Sequence, residues 1–330
     1  MIRILSITPS VTDACSFYRS GGIFPHLEKM IDNLVVHHVQ WDRTLLHWQE
    51  LIRYDLVYMQ RPFESQAVSL SKYLKNLRIP LWVDFDDNLL ALTPDNEKYR
   101  LYDDKVREYI VQVMQNADVV TVTTAELQRQ FQQYNKDVRV IPNAFNDFIF
   151  KERMIRPGRA QMIMWRGGNS HIKDVMLFTE VFEKAMAEYK DWHFLFMGME
   201  TWFLNGSMNL YEWPAKDVIH YFTNVKEILP ALLTVPLNDT IFNRCKSNIA
   251  YIEASYFGAM TLAPAWEEWK DLPGILTYTD PASFLEGIRT VAAVRINPAE
   301  QGLLAWNYVR ENLGLKKINV KRIELINELL

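Results

Sequence analysis

The sequence predicts an α/β protein built from two tandem doubly wound, Rossmann-like domains that face each other across a cleft. Three observations carry this. The chain has 330 residues, more than one ordinary domain needs. Short β-branched or apolar runs alternate with longer amphipathic stretches, the pattern of a parallel sheet covered by helices. The alternation stops at Pro142-Asn143, crosses a charged segment, and restarts near Met162.

In the first half, residues 2–7 read as a strand, followed by a polar loop and a helix from about 22 to 33. Strands follow at 35–39, 56–59, 81–85, 119–122 and 138–141. Helices are expected around 45–53 and over 65–77, 98–116 and 125–134. Residues 147–158 contain Lys151, Glu152, Arg153, Arg156 and Pro157 and read as the interdomain linker. In the second half, strands are expected at 162–165, 193–197 and 260–263, with another ending at Pro236. Helices are expected over 174–189, 227–233, 247–257, 283–294, 299–312 and 320–330. The expected division is 1–150, 151–312 and a terminal helix within 313–330.

Composition excludes several functional classes. Apolar residues make up 49%, enough for two cores, but no run reaches the roughly 18 apolar residues of a membrane span. The opening MIRILSITPS reads as a buried strand, not a signal peptide, so a soluble cytoplasmic protein is expected. A net charge of −4 gives no general basic surface for duplex nucleic acid, and Lys316, Lys317, Lys321 and Arg322 read as a solvated helix face. Two distant cysteines, Cys15 and Cys245, form neither a disulfide framework nor a zinc pattern.

Ligands of doubly wound sheets bind beyond the C-terminal strand ends, so the loops there carry the chemistry. After the first strand, Tyr18 and Arg19 precede Gly21 and Gly22. Without G-x-G-x-x-G this loop does not support a dinucleotide enzyme. At the end of the fourth strand stand Asp84, Asp86 and Asp87. Alternation places Asp84 and Asp86 on one face with Asp87 beyond the strand end. Such acids can bind acceptor hydroxyls, act as a base, hold a divalent metal or cap the next helix.

The second half contributes two such loops. Arg166, Gly167, Gly168, Ser170 and His171 form a donor-rich turn, and an Arg there can take a phosphate bidentately. Further on, Lys246 stands beside Ser247, expected to cap the helix that follows. A cation beside a helix N-terminus suits a diphosphate. Glu253 lies on the apolar face of that helix with Ile249, Ile252 and Phe257. A carboxylate there needs a polar partner: a ribose diol, or a neighbouring loop.

The run Phe242-Asn-Arg-Cys-Lys-Ser-Asn-Ile-Ala-Tyr-Ile-Glu-Ala, followed by Phe257-Gly-Ala and 261–264, resembles the donor-binding segment of family-four-like, retaining GT-B glycosyltransferases. Residues 165–174, 117–127 with 140–146, and 83–89 resemble further segments in the right order, in a branch common in bacteria and their phages. The resemblance implies the GT-B fold and transfer of a sugar, with retention, from a nucleotide diphosphate sugar, UDP-linked by expectation. No obligatory metal is implied. Glu253 matches the second Glu of the family's Glu-x7-Glu motif, which holds the ribose, whereas Cys245 stands where the first Glu belongs. Asn243 and Asp239 are the candidates to replace it at the donor sugar. The family's phosphate-binding Arg and Lys fall at Arg166 and His171, with Lys246 the expected substitute cation.

The expected site therefore has Arg166, Lys246, Asp84 and Asp87 in catalysis. Gly167, Gly168, His171, Asn243, Ser247, Asn248 and Glu253 hold the donor, and Tyr18, Arg19, Gly21, Gly22 and Asp86 face the acceptor. That acceptor is a glycan or small molecule, or a hydroxymethylated base in phage DNA. The alternative is a non-catalytic nucleotide-sugar-binding protein on the same fold.

Overall fold

The computed structural model describes residues 1–41, 48–151 and 160–330. The segment around 45–53 falls partly, and the linker mostly, outside them.

The first sheet comprises β1 (Ile2–Thr8), β2 (Leu34–Gln40), β3 (Leu56–Gln60), β4 (Leu81–Phe85), β5 (Val119–Val122) and β6 (Val138–Val140), ordered β2-β1-β3-β4-β5-β6. The second comprises β7 (Met162–Arg166), β8 (His193–Met197), β9 (Leu210–Trp213), β10 (Leu232–Thr234), β11 (Met260–Pro264) and β12 (Ile275–Tyr278), ordered β12-β11-β10-β7-β8-β9. Both sheets are parallel, with Ile4 opposite Val36 and Leu56 and Leu233 opposite Met164 and Thr261. The central strands β3 and β4 are buried at every position, as expected where helices cover both faces.

The helices are α1 (Ala14–Arg19), α2 (Phe24–Leu27), α3 (Ser65–Leu77), α4 (Asp104–Asn116), α5 (Ala125–Phe131), α6 (Ile172–Met176), α7 (Thr179–Glu188), α8 (Val218–Ile228), α9 (Ile241–Arg244), α10 (Ile249–Phe257), α11 (Pro281–Ala292), α12 (Pro298–Asn312) and α13 (Leu315–Leu329). α13 returns to the first sheet. Leu315, Ile318, Leu325 and Ile326 share a core with Ile4, Tyr58 and Trp82. Backbone bonds tie the return, with Phe145 N–H donating to the Leu313 carbonyl at 2.8 Å and Leu315 N–H to the Phe145 carbonyl at 2.7 Å.

Several elements differ from the sequence reading for local reasons. The helix expected over 22–33 is only the short α2, after which the chain turns and Asn33 takes a left-handed φ of 62° before β2. α4 starts late because Asp103 caps it, accepting from Val106 N–H at 2.9 Å. Of the helix expected over 227–233, only the first two residues are helical, as the end of α8. α8 ends in a left-handed Leu229, Pro230 follows, and Leu232–Thr234 is the central strand β10. The single helix expected over 174–189 is split into α6 and α7. Ser247 does not cap α10; Asn248 holds that position.

Among the described residues no helix is long and apolar enough to cross a membrane.

Candidate active site

Strand order reverses between β1 and β3 in the first sheet and between β7 and β10 in the second. These switch points open crevices beyond the C-terminal strand ends. Thr8, Gln60, Arg166 and Thr234 end the four strands concerned.

Glu253 sits in α10, where every residue from Ala250 to Phe257 is buried. An ionised carboxylate in that setting needs donors, and two reach it. Arg166, the last residue of β7, donates from Nε to Oε2 at 2.7 Å, and Tyr18 donates its hydroxyl to Oε1 at 2.9 Å. Burial pulls the Arg166 guanidinium down, but Glu253 more than restores it, so the pair is ionic. Arg166 Nη2 is buried without a hydrogen-bond partner. Tyr18 was expected to face an acceptor. Its ring instead packs into the second half's core, and burial beside Glu253 raises its phenol.

The turn after β7 is tight. A Cβ on Gly167 would stand 2.6 Å from the Trp165 ring, whereas one on Gly168 would meet nothing within 4 Å. Gly198, after β8, takes a left-handed φ of 92°, and a Cβ there would lie 2.0 Å from the Gly167 carbonyl oxygen. The small residues thus shape the loop, and Gly168 leaves its outer side open.

His171 and Asp174 continue from this turn. His171 Nδ1 lies 2.9 Å from Asp174 Oδ2, and burial lowers the imidazole's pKa. The other oxygen, Asp174 Oδ1, accepts from Asn238 N–H at 3.1 Å and from Asn243 Nδ2 at 2.7 Å. One buried carboxylate therefore ties together the loop after β7, the loop after β10, and α9.

The acidic turn after β4 divides differently from the alternation reading. Asp84 is 1% exposed and pairs with Arg19, 2% exposed, through bonds of 2.9 and 2.6 Å. Arg19 also donates to the Ile141 carbonyl at 2.7 Å. Neither reaches the cleft, because each neutralises the other inside the first core. Gly21 and Gly22 are partly exposed in the turn after α1. A Cβ on Gly22 would lie 2.3 Å from the Phe17 carbonyl oxygen, so it serves close packing of the turn, and one on Gly21 would lie 3.0 Å from Ser16 Oγ.

Asp86 and Asp87 instead share Arg61, a residue the sequence reading did not single out. Arg61 follows β3 with a left-handed φ of 46°. Its Nε bonds Asp86, and its Nη2 donates to Asp87 Oδ2 at 2.9 Å. Lys246 Nζ reaches Asp87 Oδ1 at 2.9 Å from the second half and lies 4.3 Å from the Phe242 ring centroid. Burial raises Asp87, but Lys246 and Arg61 outweigh it and bring its pKa to about 2. Burial leaves Asp86 raised despite Arg61. The three acids are thus matched by arginine and lysine. Among the described residues no group of three or more His, Cys, Asp or Glu side chains is placed to hold a metal ion.

At the start of α10, Ser247 Oγ accepts from Asn143 Nδ2 at 2.9 Å, and Asn248 N–H donates to Glu268 Oε1 at 3.3 Å. Asn248 Oδ1 is buried without a partner. Cys245 is fully buried in the first half's core, 3.6 Å from Asn88 Nδ2, and burial pushes its thiol up to about 12. It is a neutral core group, not a substitute for a carboxylate.

No protein-family model matches the chain, and no curated protein matches its sequence. Solved structures do match over its whole length. HepE of Anabaena, crystallised with UDP-glucose, is similar over 99% of this chain and all of its own, with a TM-score of 0.66 at 14% identity. An α,α-trehalose-phosphate synthase (UDP-forming) from Burkholderia vietnamiensis covers 100% of this chain and 97% of its own, with a TM-score of 0.65 at 12% identity. The fold is GT-B. A UDP-GlcNAc 2-epimerase from Neisseria meningitidis, bound to UDP-GlcNAc, is also similar, with a TM-score of 0.59 at 8% identity over 99% of this chain and 100% of its own. GT-B architecture therefore accommodates more than one reaction, and the site must decide the function.

Proposed function

We propose that this chain is a glycosyltransferase that moves a sugar from a UDP-linked donor to an acceptor hydroxyl with retention. The observation that carries the reading is the set of unmatched polar atoms at the second switch point. Arg166 Nη2, Asn243 Oδ1 and Asn248 Oδ1 are buried without partners around the loop after β7 and the start of α10. Buried groups of this kind call for a partner, ordered water or a ligand's polar atoms. A nucleotide diphosphate sugar offers phosphate oxygens to the arginine and hydroxyls to the amide carbonyls. The similar HepE and trehalose-phosphate synthase structures support UDP as the nucleotide.

In this reading residues 1–150 form the acceptor side, 151–312 the donor side, and the terminal helix returns to the first. Arg166 and Lys246 neutralise the departing diphosphate, helped by Ser247 and the positive end of α10. Glu253 holds the ribose, and Gly167 and Gly168 let the backbone approach. The bond from the sugar's C1 to the phosphate oxygen breaks while the acceptor oxygen bonds C1 from the same face. The acceptor's proton passes to the departing phosphate oxygen. Asp87, held ionised by Lys246 and Arg61, orders this cation pair. The acceptor approaches through the cleft at the first switch point, lined by Thr8, Trp41, Gln60, Arg61 and Glu64. The acceptor is a glycan or small-molecule hydroxyl, or a hydroxymethylated base in phage DNA.

The test is incubation with UDP-sugars and each acceptor class, with products read by mass spectrometry of glycans and of digested nucleosides. UDP release with a glycosylated product supports the reading. Tight UDP-sugar binding without release or transfer supports the non-catalytic alternative, which the burial of Cys245 at the expected glutamate position favours.

A further inference from the structure

Cys245 is a buried thiol in the first half's core and offers a donor sugar no polar contact. Two nearby polar residues could take its place. Asp239 is paired with Arg244 through Nε and Nη2, at 2.5 and 2.7 Å, on an exposed surface. Asn243 is 3% exposed and stands in α9 between the loop after β10 and Lys246.

The orientation of the Asn243 amide is fixed by its neighbours. Its nitrogen side faces Asp174 Oδ1 at 2.7 Å and the Asn238 carbonyl at 3.0 Å. Both are acceptors, so the NH2 group must point at them. That leaves Oδ1 as a buried acceptor with no partner. An acceptor so placed calls for a donor, and a sugar hydroxyl is one.

We propose that Asn243 Oδ1 accepts a hydroxyl of the donor sugar, and that Asp174 is the positioning residue that aims it. This rests on the donor reading of the site given above. Asp174 is 8% exposed, and its carboxylate holds Asn243, the Asn238 backbone and His171 at once. The sugar contact is thereby built on the same carboxylate that orients the His171 imidazole. Asp174 touches no substrate; it acts through Asn243 and His171. A neutral amide accepts a hydroxyl without adding a negative charge of its own beside the diphosphate.

The test is calorimetric titration of the full chain with UDP, UDP-glucose, UDP-galactose and UDP-N-acetylglucosamine. The variants are Asn243→Ala, Asp174→Asn, the double variant and Asp239→Ala. Asn243→Ala is expected to bind UDP within twofold of wild type but to weaken the preferred UDP-sugar about tenfold, the effect of one lost buried hydrogen bond. Unchanged UDP affinity also shows that the variant is folded. Asp174→Asn is expected to reproduce most of this loss, and the double variant to lose no more than the larger single effect, because both act on one contact. Asp239→Ala leaves both affinities unchanged. Equal loss of UDP and UDP-sugar in Asn243→Ala, or no loss of either, overturns the assignment while the donor reading stands. Additive effects in the double variant overturn the positioning role of Asp174. Failure of wild type to bind UDP overturns the donor reading and this assignment with it.

Discussion

The hydroxyl of Tyr18 donates to Oε1 of Glu253 at 2.9 Å, joining α1 of the first half to α10 of the second across 235 positions of sequence. A first-half hydroxyl thus occupies the carboxylate proposed to hold the donor's ribose hydroxyl. Tyr18→Phe keeps the ring in its core and removes only this bond. Thermal denaturation is expected to show a loss of about 1 kcal/mol. Calorimetry is expected to show UDP binding several-fold more tightly, since Glu253 no longer has to release an internal donor. Weaker UDP binding in Tyr18→Phe would mean that the hydroxyl supports the ligand site.

Lys246 links the same two halves through Asp87, yet its loss affects chemistry more than folding. Asp87 keeps Arg61 when Lys246 is removed, although it shares that guanidinium with Asp86, so its carboxylate is weakened in partners and not stranded. Lys246→Ala is expected to keep the wild-type melting temperature within a few degrees and to lower turnover by roughly 100-fold or more, the scale of losing one charge-stabilising group at a departing oxyanion. Arg166→Ala differs because it strands Glu253 with Tyr18 alone, so it is expected to lose both turnover and stability. Steady-state rates and melting curves on the two variants separate these outcomes.

Arg19 and Asp84 illustrate the opposite case. Their paired charges are almost wholly buried beside Tyr58, whose hydroxyl donates to the Arg19 carbonyl at 2.8 Å. The buried Arg322 of α13 stands near enough to be lowered, by burial and by Arg19, to about 9. Removing one member leaves an uncompensated charge, so Arg19→Ala and Asp84→Ala are each expected to cost about 3–5 kcal/mol of stability. Denaturant titration checks this. Loss of acceptor affinity without loss of stability would return the pair to the acceptor site.

These relationships show what the sequence could and could not carry. The alternation of strands and helices was legible because each element declares itself within one window, and Arg166, Lys246 and Glu253 stood out as charged residues in loops or on an apolar face. Arg19 and Asp84 were read as facing the cleft because their pairing spans 65 positions and no local pattern records it. Arg61 was missed for the same reason. Its only signal was that three clustered acids require cations, and that an arginine before a proline closes the buried strand β3. Asp174 gave no signal at all, since a carboxylate in the first turn of a short helix is common. β9 and β12 were missed because they are edge strands with little buried surface: Tyr211 to Trp213 are exposed and only Tyr278 of β12 is buried, so neither carries the apolar buried run that announces β5.

Glu268 supplies a pH test of the start of α10. Its carboxyl is partly buried and accepts from Asn248 N–H at 3.3 Å. Burial, with a contribution from Glu267, raises its pKa to about 8 against that hydrogen bond. The folded state therefore holds a proton that the unfolded state releases near its ordinary value of 4.5. Stability contributed by this group is present below that value and declines as pH rises toward 8. Glu268→Gln keeps an oxygen for Asn248 N–H and cannot ionise. Its melting temperature is expected to match wild type near pH 5 and to exceed it progressively up to pH 8. Ionised Glu268 also places a negative charge at the helix end proposed to hold the diphosphate, where it repels the ligand. UDP affinity should consequently fall more steeply in wild type than in Glu268→Gln between pH 6.5 and 8.5. Comparing the two proteins cancels the titration of His171, which is present in both. Parallel pH profiles for melting and for UDP binding would show that Glu268 stays ionised in the folded chain and takes no part in the anion site.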